Sequence, residues 1–420
     1  MFERCDEREW MPQSQREKYL TEGLRQISEY AYERAPAMKK KFDDASFNPS
    51  AIRSLKDLEK IPVTTRDDFI RIQRENPPFG GFLTVPPDSL KRIYVHPGPQ
   101  YEIISEADVE HSRKMLPKLG IKKGDIVINT VSYHLVAGGL LVDEALTSAG
   151  ITVVPTGVGN TDLQVQIMHD LKVTFHFGFT SFLMSIVKRA EELGYDFKKD
   201  FSLRGAIVLR SSELRETLER DYGIDGRETY GFLPVGFPAC ECEQKSGMHV
   251  EEDFIVEVVD PETGKQVANG EIGELVVTTI FNELMPRIRI GSGDLGYLVD
   301  EPCPCGKTSP RIGRLVGRVG EGVKVRGMFI QAPEVEDVIS RLSEISNYQL
   351  IISRTGVRDI ITARLEFVNE SMYTEELRQS LEEQFHNRCR LKLNVVEVVP
   401  QDTIPEDARK IVDERKEMVI

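Results

Sequence analysis

Residues 125 to 209 contain a repeated alternation of short, uninterrupted apolar segments with amphipathic segments. The apolar segments are "DIVINTV", "ITVVP", "KVTFHF" and "GAIVL". The segments between them, such as "GGLLVDEALTSAG" and "SFLMSIVKRAEELG", have the spacing of helices with one apolar face. Continuous apolar strands separated by helices are typical of a parallel sheet that is covered on both faces. The sequence therefore predicts an α/β layer in the first half of the chain.

The pattern changes after residue 250. "DFIVEVVDPETGKQ" and "GELVVTTI" alternate and flank an Asp-Pro-Glu-Thr-Gly turn, which predicts antiparallel sheet. The last hundred residues predict a small α+β unit that begins with one strand, "VKVRGMFI". The unit continues with helix "PEVEDVISRLS", strands "YQLIISR" and "DIITARLEFV", helix "TEELRQSLEEQF" and strand "LKLNVVEVV". Near the N-terminus, Ser14 is predicted to cap a helix whose apolar face begins at Leu20.

Length and charge limit the classes of function. A chain of 420 residues is too long for one ordinary core, so we expect two or three domains. The net charge is 54 − 68 = −14, which argues against a nucleic-acid partner held by bulk electrostatics. No apolar run reaches the roughly 18 residues needed to cross a bilayer. The first residues, "MFERCDEREWMPQ", lack a signal-peptide core. We therefore expect a cytoplasmic protein with neither a nucleic-acid nor a membrane partner.

Four of the six cysteines stand in two C-x-C pairs, Cys240 with Cys242 and Cys303 with Cys305. In a large cytosolic chain, clustered cysteines more often bind metal than form disulfides. Cys242, Cys303 and Cys305 are three thiolate candidates, and His249 adds an imidazole. A Cys₃His set is typical of tetrahedral, structural zinc. The alternative is free thiols on two adjoining strands and a turn, and Cys240 is a spare that can replace one ligand.

Several motifs resemble those of a known enzyme family. In order, they are "VVDPETG", "GELVVTT", "MPRIRIGSGDL", "EPCPCGKTSPRIGRLVGR" and "VKVRG". Together with "YERAPAMKKKFDDA" and "IRSLKDLEKIPVTTRDDF", they resemble the phenylacetate–coenzyme A ligase branch of the adenylate-forming superfamily. Members of that family adenylate a carboxylic acid with ATP and then transfer the acyl group to coenzyme A.

The resemblance also implies an architecture. Residues 1–316 would form a large N-terminal domain with α/β and β-rich parts. Residues 317–420 would form a mobile C-terminal α+β domain, connected by a hinge near residues 317 to 322. A homodimer is common in this branch.

The resemblance further implies a nucleotide site. Asp294, in "GSGDLG", would bind the ribose hydroxyls, because a carboxylate offers two acceptor oxygens. Arg318 would lie beside the ribose and the hinge. Tyr230 and Gly231, in "ETYGF", stand where the family stacks the adenine and passes close to the acyl group.

The implied substrates are coenzyme A and a small or aromatic carboxylic acid. Tyr133 and His134 precede a predicted helix at the place where the family builds its aryl pocket. Gly138 and Gly139 follow, and their lack of side chains allows close approach of a ligand. For His134, the alternative is a packed, hydrogen-bonded histidine without contact to a ligand.

The chain departs from the family at four places in the ATP site: the phosphate loop, the adenine segment, a magnesium-linked residue and the catalytic lysine. A loop rich in Ser, Thr and Gly is replaced by "YVHPGPQYE", in which each proline removes a backbone donor. The family's Gly-Ala-Glu segment corresponds to "AIVLRSSELR". A magnesium-linked glutamate is replaced by Pro234, which has no ligand oxygen in its side chain. The catalytic lysine falls near Asp407, with Arg409 and Lys410 slightly further along.

Each departure removes charge stabilisation from a polyphosphate transition state. We therefore predict a carboxylate–coenzyme A ligase relative whose site for ATP and magnesium is unusual or weakened. The alternative is a non-adenylating descendant that binds an acyl group, a coenzyme A thioester or a partner protein. His96, in the replaced loop, is either a general base or a surface histidine. Arg210, Ser211 and Ser212 form either an anion site or a simple helix start.

Overall fold

The computed structural model describes residues 6–96, 100–209, 212–319, 322–325, 328–355, 358–369, 372–389, 391–405 and 408–417. The described residues form two compact units. The first lies within Met1–Glu271, Leu275–Ser292 and Tyr297–Arg314. The second lies within Ile272–Glu274, Gly293–Gly296 and Leu315–Ile420.

The first unit contains the helices α1 Gln13–Arg34, α2 Pro36–Asp44, α3 Arg66–Glu75, α4 Glu106–Met115, α5 Gly138–Ser148, α6 Thr161–Asp170, α7 Thr180–Glu192, α8 Phe197–Asp200 and α9 Ser212–Tyr222. Short 3₁₀ helices occur at Glu7–Trp10, Pro49–Ala51, Leu55–Lys60 and Pro87–Ser89. A hairpin of β1 Tyr94–His96 and β2 Gln100–Glu102 precedes α4.

Helices α1 and α4 begin with different local structures. The residue before α1 is Pro12, which makes no side-chain capping bond, and Ser14 lies inside the first turn. The predicted cap at Ser14 is therefore wrong, because proline already fixes the backbone at the helix start. Helix α4 begins with a reciprocal capping box, in which Ser105 Oγ accepts the Asp108 N–H and an Asp108 carboxylate oxygen accepts the Ser105 N–H.

A nine-stranded sheet forms the centre of the first unit. Its strands, in chain order, are β3 Ile126–Asn129, β4 Thr152–Val154, β5 Phe175–Phe177, β6 Gly205–Val208, β7 Asp225–Phe232, β8 Gly236–Glu241, β9 Met248–Val250, β13 Leu298–Val299 and β14 Arg311–Ile312. Their spatial order is β13-β14-β9-β8-β7-β6-β5-β3-β4. Strands β4, β3, β5, β6 and β7 pair in parallel, and the pairs from β7 to β13 are antiparallel.

The parallel half is covered on both faces, as the alternating pattern predicts. One apolar cluster packs α6 and α7 against residues such as Ile128 and Ala206. Another packs the α4 and α5 side against Val127 and Phe175. Because adjacent strand residues point to opposite faces, an uninterrupted apolar strand is buried on both of them. The predicted α/β layer is confirmed.

Three further strands, β10 Phe254–Val259, β11 Gly273–Thr279 and β12 Ile290–Gly296, are consecutive in a second sheet. The predicted segments "DFIVEVV" and "GELVVTT" are therefore neighbouring strands, as their turn sequence suggests. A separate cluster of buried apolar residues fills the N-terminal part of this unit, with Leu24, Phe42 and Phe69 among its members.

The second unit contains β15 Gly317–Arg318, β16 Gly322–Val325, β17 Met328–Gln331, α10 Ala332–Ile339, β18 Ile345–Thr355, β19 Arg358–Phe367, α11 Glu375–Cys389, β20 Val395–Val399, β21 Ile411–Asp413 and a 3₁₀ helix at Glu414–Glu417. A four-stranded sheet in the order β20-β19-β18-β21 lies against one apolar core. The predicted strand "VKVRGMFI" is instead the antiparallel hairpin β16–β17. Residues 326–327, between these two strands, lie outside the described residues.

Candidate active site and candidate metal centre

A cavity of about 180 Å³ lies at the carboxyl edge of the parallel strands. Its lining includes Val131, Phe179 and Leu209, which follow the ends of β3, β5 and β6. The second half of β7 adds residues 229–232. Strand β4 lies on one side of β3, and the next strand in the chain, β5, lies on its other side. The order of the strands in the sheet therefore reverses direction at β3. Ligands of open α/β sheets bind outside the carboxyl ends of the strands at such a reversal, which makes this cavity the candidate active site.

The wall of the cavity is apolar. Helix α5 contributes Gly138 and Leu141, β5 contributes Phe177, and β8 contributes Phe237. None of the described lining residues carries a formal charge. An apolar cavity of roughly 150 Å³ holds benzene. The cavity therefore has room for the ring or short branched chain of a small acid, whose carboxylate must remain outside because an unpaired charge is costly to bury.

Of the four residues predicted for the substrate pocket, Gly138 lines this cavity. A Cβ atom on Gly139 would lie 2.4 Å from the Ser132 carbonyl oxygen, so this glycine allows close packing of two backbone segments. The Gly139 N–H donates to the same oxygen. His134 is exposed. Gly139 and His134 are outside the described lining of the cavity.

Tyr133 is also outside the described lining of the cavity, and it is held in a hydrogen-bonded chain. Its hydroxyl donates to Asp143 Oδ2 at 2.8 Å and accepts from Asn129 Nδ2 at 2.7 Å. Burial and the hydrogen bond to Asp143 raise the pKa of Tyr133 well above its ordinary value. The Asn129 amide also donates to the Gly139 carbonyl oxygen. This network fixes the loop that leads into α5, and thereby the position of Gly138.

Tyr230 and Gly231 both line the cavity. The Tyr230 side chain is buried, at 1% exposure. A Cβ atom on Gly231 would lie 2.6 Å from Phe237 Cδ1 and 2.9 Å from the Gly236 carbonyl oxygen. Glycine at this position therefore leaves space for the Phe237 ring.

Asp294 and Arg318 form a pair within the second unit. They are register partners in the antiparallel pairing of β12 with β15. Arg318 Nε lies 3.1 Å from Asp294 Oδ1, and Asp294 is 1% exposed while the Arg318 side chain is 37% exposed. The neighbouring Gly293 has a φ of 72° and its N–H donates to Glu274 Oε1. A left-handed backbone conformation at Gly293, within β12, thus precedes the Asp294 carboxylate that lies next to a guanidinium.

The replaced phosphate loop belongs to the β1–β2 hairpin, in which His96 pairs with Gln100. Residues 97–99, which contain both prolines, lie outside the described residues. The two preceding cations are already engaged, because Lys91 and Arg92 both form ion pairs with Glu144. A single carboxylate is therefore shared by two exposed cations and offsets one of their two positive charges.

His96 is not a freely exposed surface histidine. Its Nε2 atom lies 2.9 Å from Glu102 Oε2, and the His96 side chain is 17% exposed. Burial raises the pKa of the Glu102 carboxyl group. The contact orients the imidazole within the hairpin, and whether His96 acts as a base remains a prediction.

Two other predicted sites involve residues that the structure does not describe. Arg210 and Ser211 lie outside the described residues, and Ser212 begins α9. Asp407 also lies outside them. Lys410 Nζ donates to Asn347 Oδ1 at 2.6 Å and lies 5.1 Å from the centre of the Tyr348 ring.

The predicted metal ligands converge in the first unit. The ligand atoms of Cys242, His249, Cys303 and Cys305 all lie within 4.8 Å of one another. The sulfur atoms of Cys242 and Cys303 are 3.7 Å apart, and Cys305 Sγ lies 3.4 Å from His249 Nε2. In a zinc tetrahedron with the usual bond lengths, these edges measure about 3.8 Å and about 3.5 Å. The donor set and these two distances therefore fit zinc.

The surroundings of His249 also suit a metal ligand. Its Nδ1 atom lies 3.1 Å from Ser309 Oγ, which leaves Nε2 facing the three sulfur atoms. Burial, assisted by nearby Lys307 and Arg311, lowers the pKa of His249 to about 3, so the imidazole stays neutral. Cys240 is separate from this cluster, and its thiol donates to Glu251 Oε1.

Sequence patterns did not identify most of the cavity wall or the Ser309 contact. Phe177 and Leu209 are ordinary apolar residues at the ends of predicted strands, and Phe237 lies in β8, which was not predicted. The available signal was their position, because Phe177 ends one predicted parallel strand and Leu209 ends another. Phe237 gave no comparable signal.

Residues 327–415 match a family model described as AMP-binding enzyme C-terminal domain. Over 385 residues, the chain is 30% identical to the phenylacetate–coenzyme A ligase of Thermus thermophilus, covering 88% of this chain and 85% of that protein. The chain belongs to the phenylacetate–coenzyme A ligase family. The enzyme of that name from Escherichia coli is 30% identical over 412 residues, covering 93% of this chain and 92% of that protein.

A solved structure gives the same result for the fold. The open conformation of 2-hydroxyisobutyryl-CoA ligase, in complex with 2-HIB-AMP and CoA, superimposes with a TM-score of 0.87 at 25% sequence identity. The match covers 97% of this chain and 93% of that one. The resemblance to the phenylacetate–coenzyme A ligase family and the predicted adenylate-forming fold are both confirmed. Over the described residues, helices long and apolar enough to cross a membrane were not found.

Proposed function

We propose that the chain is a carboxylate–coenzyme A ligase that activates a small acid with an aromatic or branched apolar group. The observation that carries this proposal is the uncharged cavity at the carboxyl edge of the parallel strands. Its volume of about 180 Å³ suits a single ring. Relatives named as phenylacetate–coenzyme A ligases and a related ligase structure with an acyl-adenylate and CoA support the same chemistry.

The proposed reaction has two steps. A carboxylate oxygen of the acid attacks the α-phosphorus of ATP, and pyrophosphate leaves. The sulfur of coenzyme A, after loss of its proton, then attacks the acyl carbon, and AMP leaves with the electrons of the broken acyl–oxygen bond. In this scheme the cavity holds the apolar group of the acid and keeps water away from the mixed anhydride. Tyr230 would pack against the adenine, and Asp294 would accept hydrogen bonds from the ribose hydroxyls.

The phosphate contacts are proposed to be weaker than in the family's motif. Lys91 and Arg92 are paired with Glu144, and Pro234 replaces an acidic side chain. Polyphosphate binding depends on backbone donors, cations and magnesium acting together. Losing several of these groups lowers the affinity for ATP more than the affinity for an acyl-adenylate, which has only one phosphate.

A second candidate function remains open for the same reason. A non-adenylating descendant would keep the cavity and bind an acyl group, a coenzyme A thioester or a partner protein without ATP chemistry. The engagement of Lys91 and Arg92 by Glu144 favours this candidate, because it offsets one of the two positive charges that precede the β1–β2 hairpin.

Three structural features accompany the proposal. We assign zinc to Cys242, His249, Cys303 and Cys305, where it would crosslink β9 and the region after β8 to the loop between β13 and β14. Residues 317–420 are proposed to move as a C-terminal domain about a hinge near residues 317 to 322. A homodimer is proposed by analogy with the family.

The proposal predicts acid-dependent turnover with a high requirement for ATP. With magnesium, coenzyme A and phenylacetate or benzoate, the chain is expected to produce AMP and a coenzyme A thioester. Half-saturation in ATP is expected above about 1 mM, equivalent to only about −4 kcal/mol of binding free energy. Mass spectrometry of both products, from micromolar to tens of millimolar ATP, measures this.

A matched variant tests the reason for the weak affinity. Glu144→Gln releases Lys91 and Arg92 and is expected to lower the half-saturating ATP concentration. Saturation of the parent protein at micromolar ATP would mean that another phosphate cradle exists. AMP production that does not depend on an acid would contradict the ligase assignment.

A further inference from the structure

A second, smaller hollow lies directly behind the acyl cavity. Its volume is about 10 Å³, and Ser112, Met115, Leu116 and Leu119 line it from the α4 side, together with Val142 and Ala145 of α5. Phe177 and Phe237 line both spaces. These two aromatic side chains therefore stand between the acyl cavity and the hollow.

The two rings are packed against each other. Their centres are 6.1 Å apart and their planes make an angle of 72°, an edge-to-face arrangement. Phe177 is buried at 3% exposure, whereas Phe237 is only partly buried. The space that Gly231 leaves free is occupied by the Phe237 ring, since a Cβ atom there would lie 2.6 Å from Phe237 Cδ1. The backbone at Gly231 thus fixes the ring as part of the cavity wall.

We propose that Phe237 is the end wall of the acyl cavity and sets the maximum length of the acid that the chain accepts. This inference rests on the proposed ligase function, because it assigns the cavity to the apolar group of the acid. Phe237 acts as a specificity-determining residue, and Phe177 supports its ring. Removal of the Phe237 ring joins the cavity to the hollow between α4 and α5.

The chemistry of the hollow makes the joined space suitable for a longer apolar chain. Five of its six lining residues other than the two phenylalanines are apolar. The hydroxyl of Ser112 already donates to the Asp108 carbonyl oxygen at 2.9 Å, so a methylene group entering the hollow does not deprive it of a partner. Each buried methylene adds roughly 0.8 kcal/mol, which is about fourfold in affinity.

The test uses a series of acids that differ by single methylene groups, namely phenylacetate, 3-phenylpropanoate and 4-phenylbutanoate. Dissociation constants are measured by calorimetry and thioester formation by mass spectrometry, for the parent protein and for Phe237→Ala. The preference for the longest over the shortest acid is expected to rise at least tenfold in Phe237→Ala. A general loss of packing would instead weaken the binding of all three acids without changing their order of affinity.

Two further variants make the result specific. Met115→Ala enlarges only the hollow, so with Phe237 in place the acid preference is expected to match that of the parent. Phe237→Leu removes less volume and replaces Phe237→Ala in the test if that variant does not fold. Its preference for longer acids is expected to rise in the same direction by a smaller factor.

The possible failures are distinguishable. In one outcome, the parent protein binds and converts the shorter acids, and both Phe237 variants keep the parent's preference for acid length. That outcome would overturn the assignment of Phe237 as the end wall, but not the ligase function. A parent protein that neither binds nor converts any acid of the series would overturn both. If Met115→Ala changes the preference for acid length as much as Phe237→Ala does, the assignment of Phe237 as the end wall is also overturned. The acid would then reach the hollow past an intact Phe237 ring.

Discussion

Cys303→Ser is expected to remove about one zinc ion per chain and to cause the largest loss of stability of any single change proposed for this protein. Loss of a structural metal is among the few changes that exceed about 4 kcal/mol. For a chain of 420 residues, with an unfolding entropy of about 0.9 kcal/mol/K, that corresponds to a fall in melting temperature of roughly 5 °C. His249→Ala is expected to behave in the same way, because Nε2 of that residue faces the three sulfur atoms.

The control is Cys240→Ser. Cys240 is buried and lies two residues before Cys242, but its thiol contacts Glu251 and not the cluster. Its replacement is expected to leave the metal content unchanged. Elemental analysis of protein purified under reducing, chelator-free conditions, combined with thermal unfolding, gives both quantities. Absence of zinc in the parent protein, or equal metal loss in Cys240→Ser, would contradict the assignment.

Gly138→Leu is expected to weaken acid binding substantially while leaving the fold intact. Gly138 is the first residue of α5 and lines the cavity, so a leucine side chain there would occupy the space assigned to the acid. Burying a group of the size of a phenyl ring contributes about 1.5–3 kcal/mol, so the loss of affinity is expected to be roughly 10- to 100-fold. Calorimetry with phenylacetate measures this loss.

Gly138→Ala provides the graded control. Its Cβ atom would lie 3.1 Å from Val131 Cγ1, so it requires a small shift of one side chain and fills little of the cavity. An intermediate affinity is expected for this variant, and both variants are expected to melt close to the parent temperature. Parent-like affinity in Gly138→Leu would show that the acid binds elsewhere.

Local patterns predicted the parts of the fold that depend on local sequence. The apolar segments "ITVVP", "KVTFHF" and "GAIVL" are each separated from the next by an amphipathic segment, and each contains a strand of the parallel layer. The continuation of this layer into antiparallel strands was not predicted, because pairs such as β9 with β14 join residues about sixty positions apart. Strand partners at that separation are chosen by packing, which a local pattern does not contain.

The two sites were predictable to different extents. Cysteine and histidine are uncommon, so their clustering at Cys242, His249 and Cys303 carries a chemical signal even across sixty residues of chain. The acyl cavity is built from common residues. Gly138 was predicted from the family motif, but Phe237 acquires its role only through its ring, which lies over Gly231 at the end of the cavity.

The most direct test of the account is the affinity of the chain for a non-hydrolysable aryl-acyl sulfamoyl adenosine, compared with that for ATP and magnesium. This compound mimics the acyl-adenylate and lacks the polyphosphate. Binding of the intermediate analogue is predicted to be at least about 100-fold tighter than binding of ATP, because its aryl group fills the acyl cavity and it does not depend on the weakened polyphosphate contacts. Asp294→Ala is predicted to weaken binding of the analogue by about 1.5–3 kcal/mol, the usual contribution of hydrogen bonds to a charged group. An analogue that binds no more tightly than AMP alone would contradict the ligase account and favour the non-adenylating descendant.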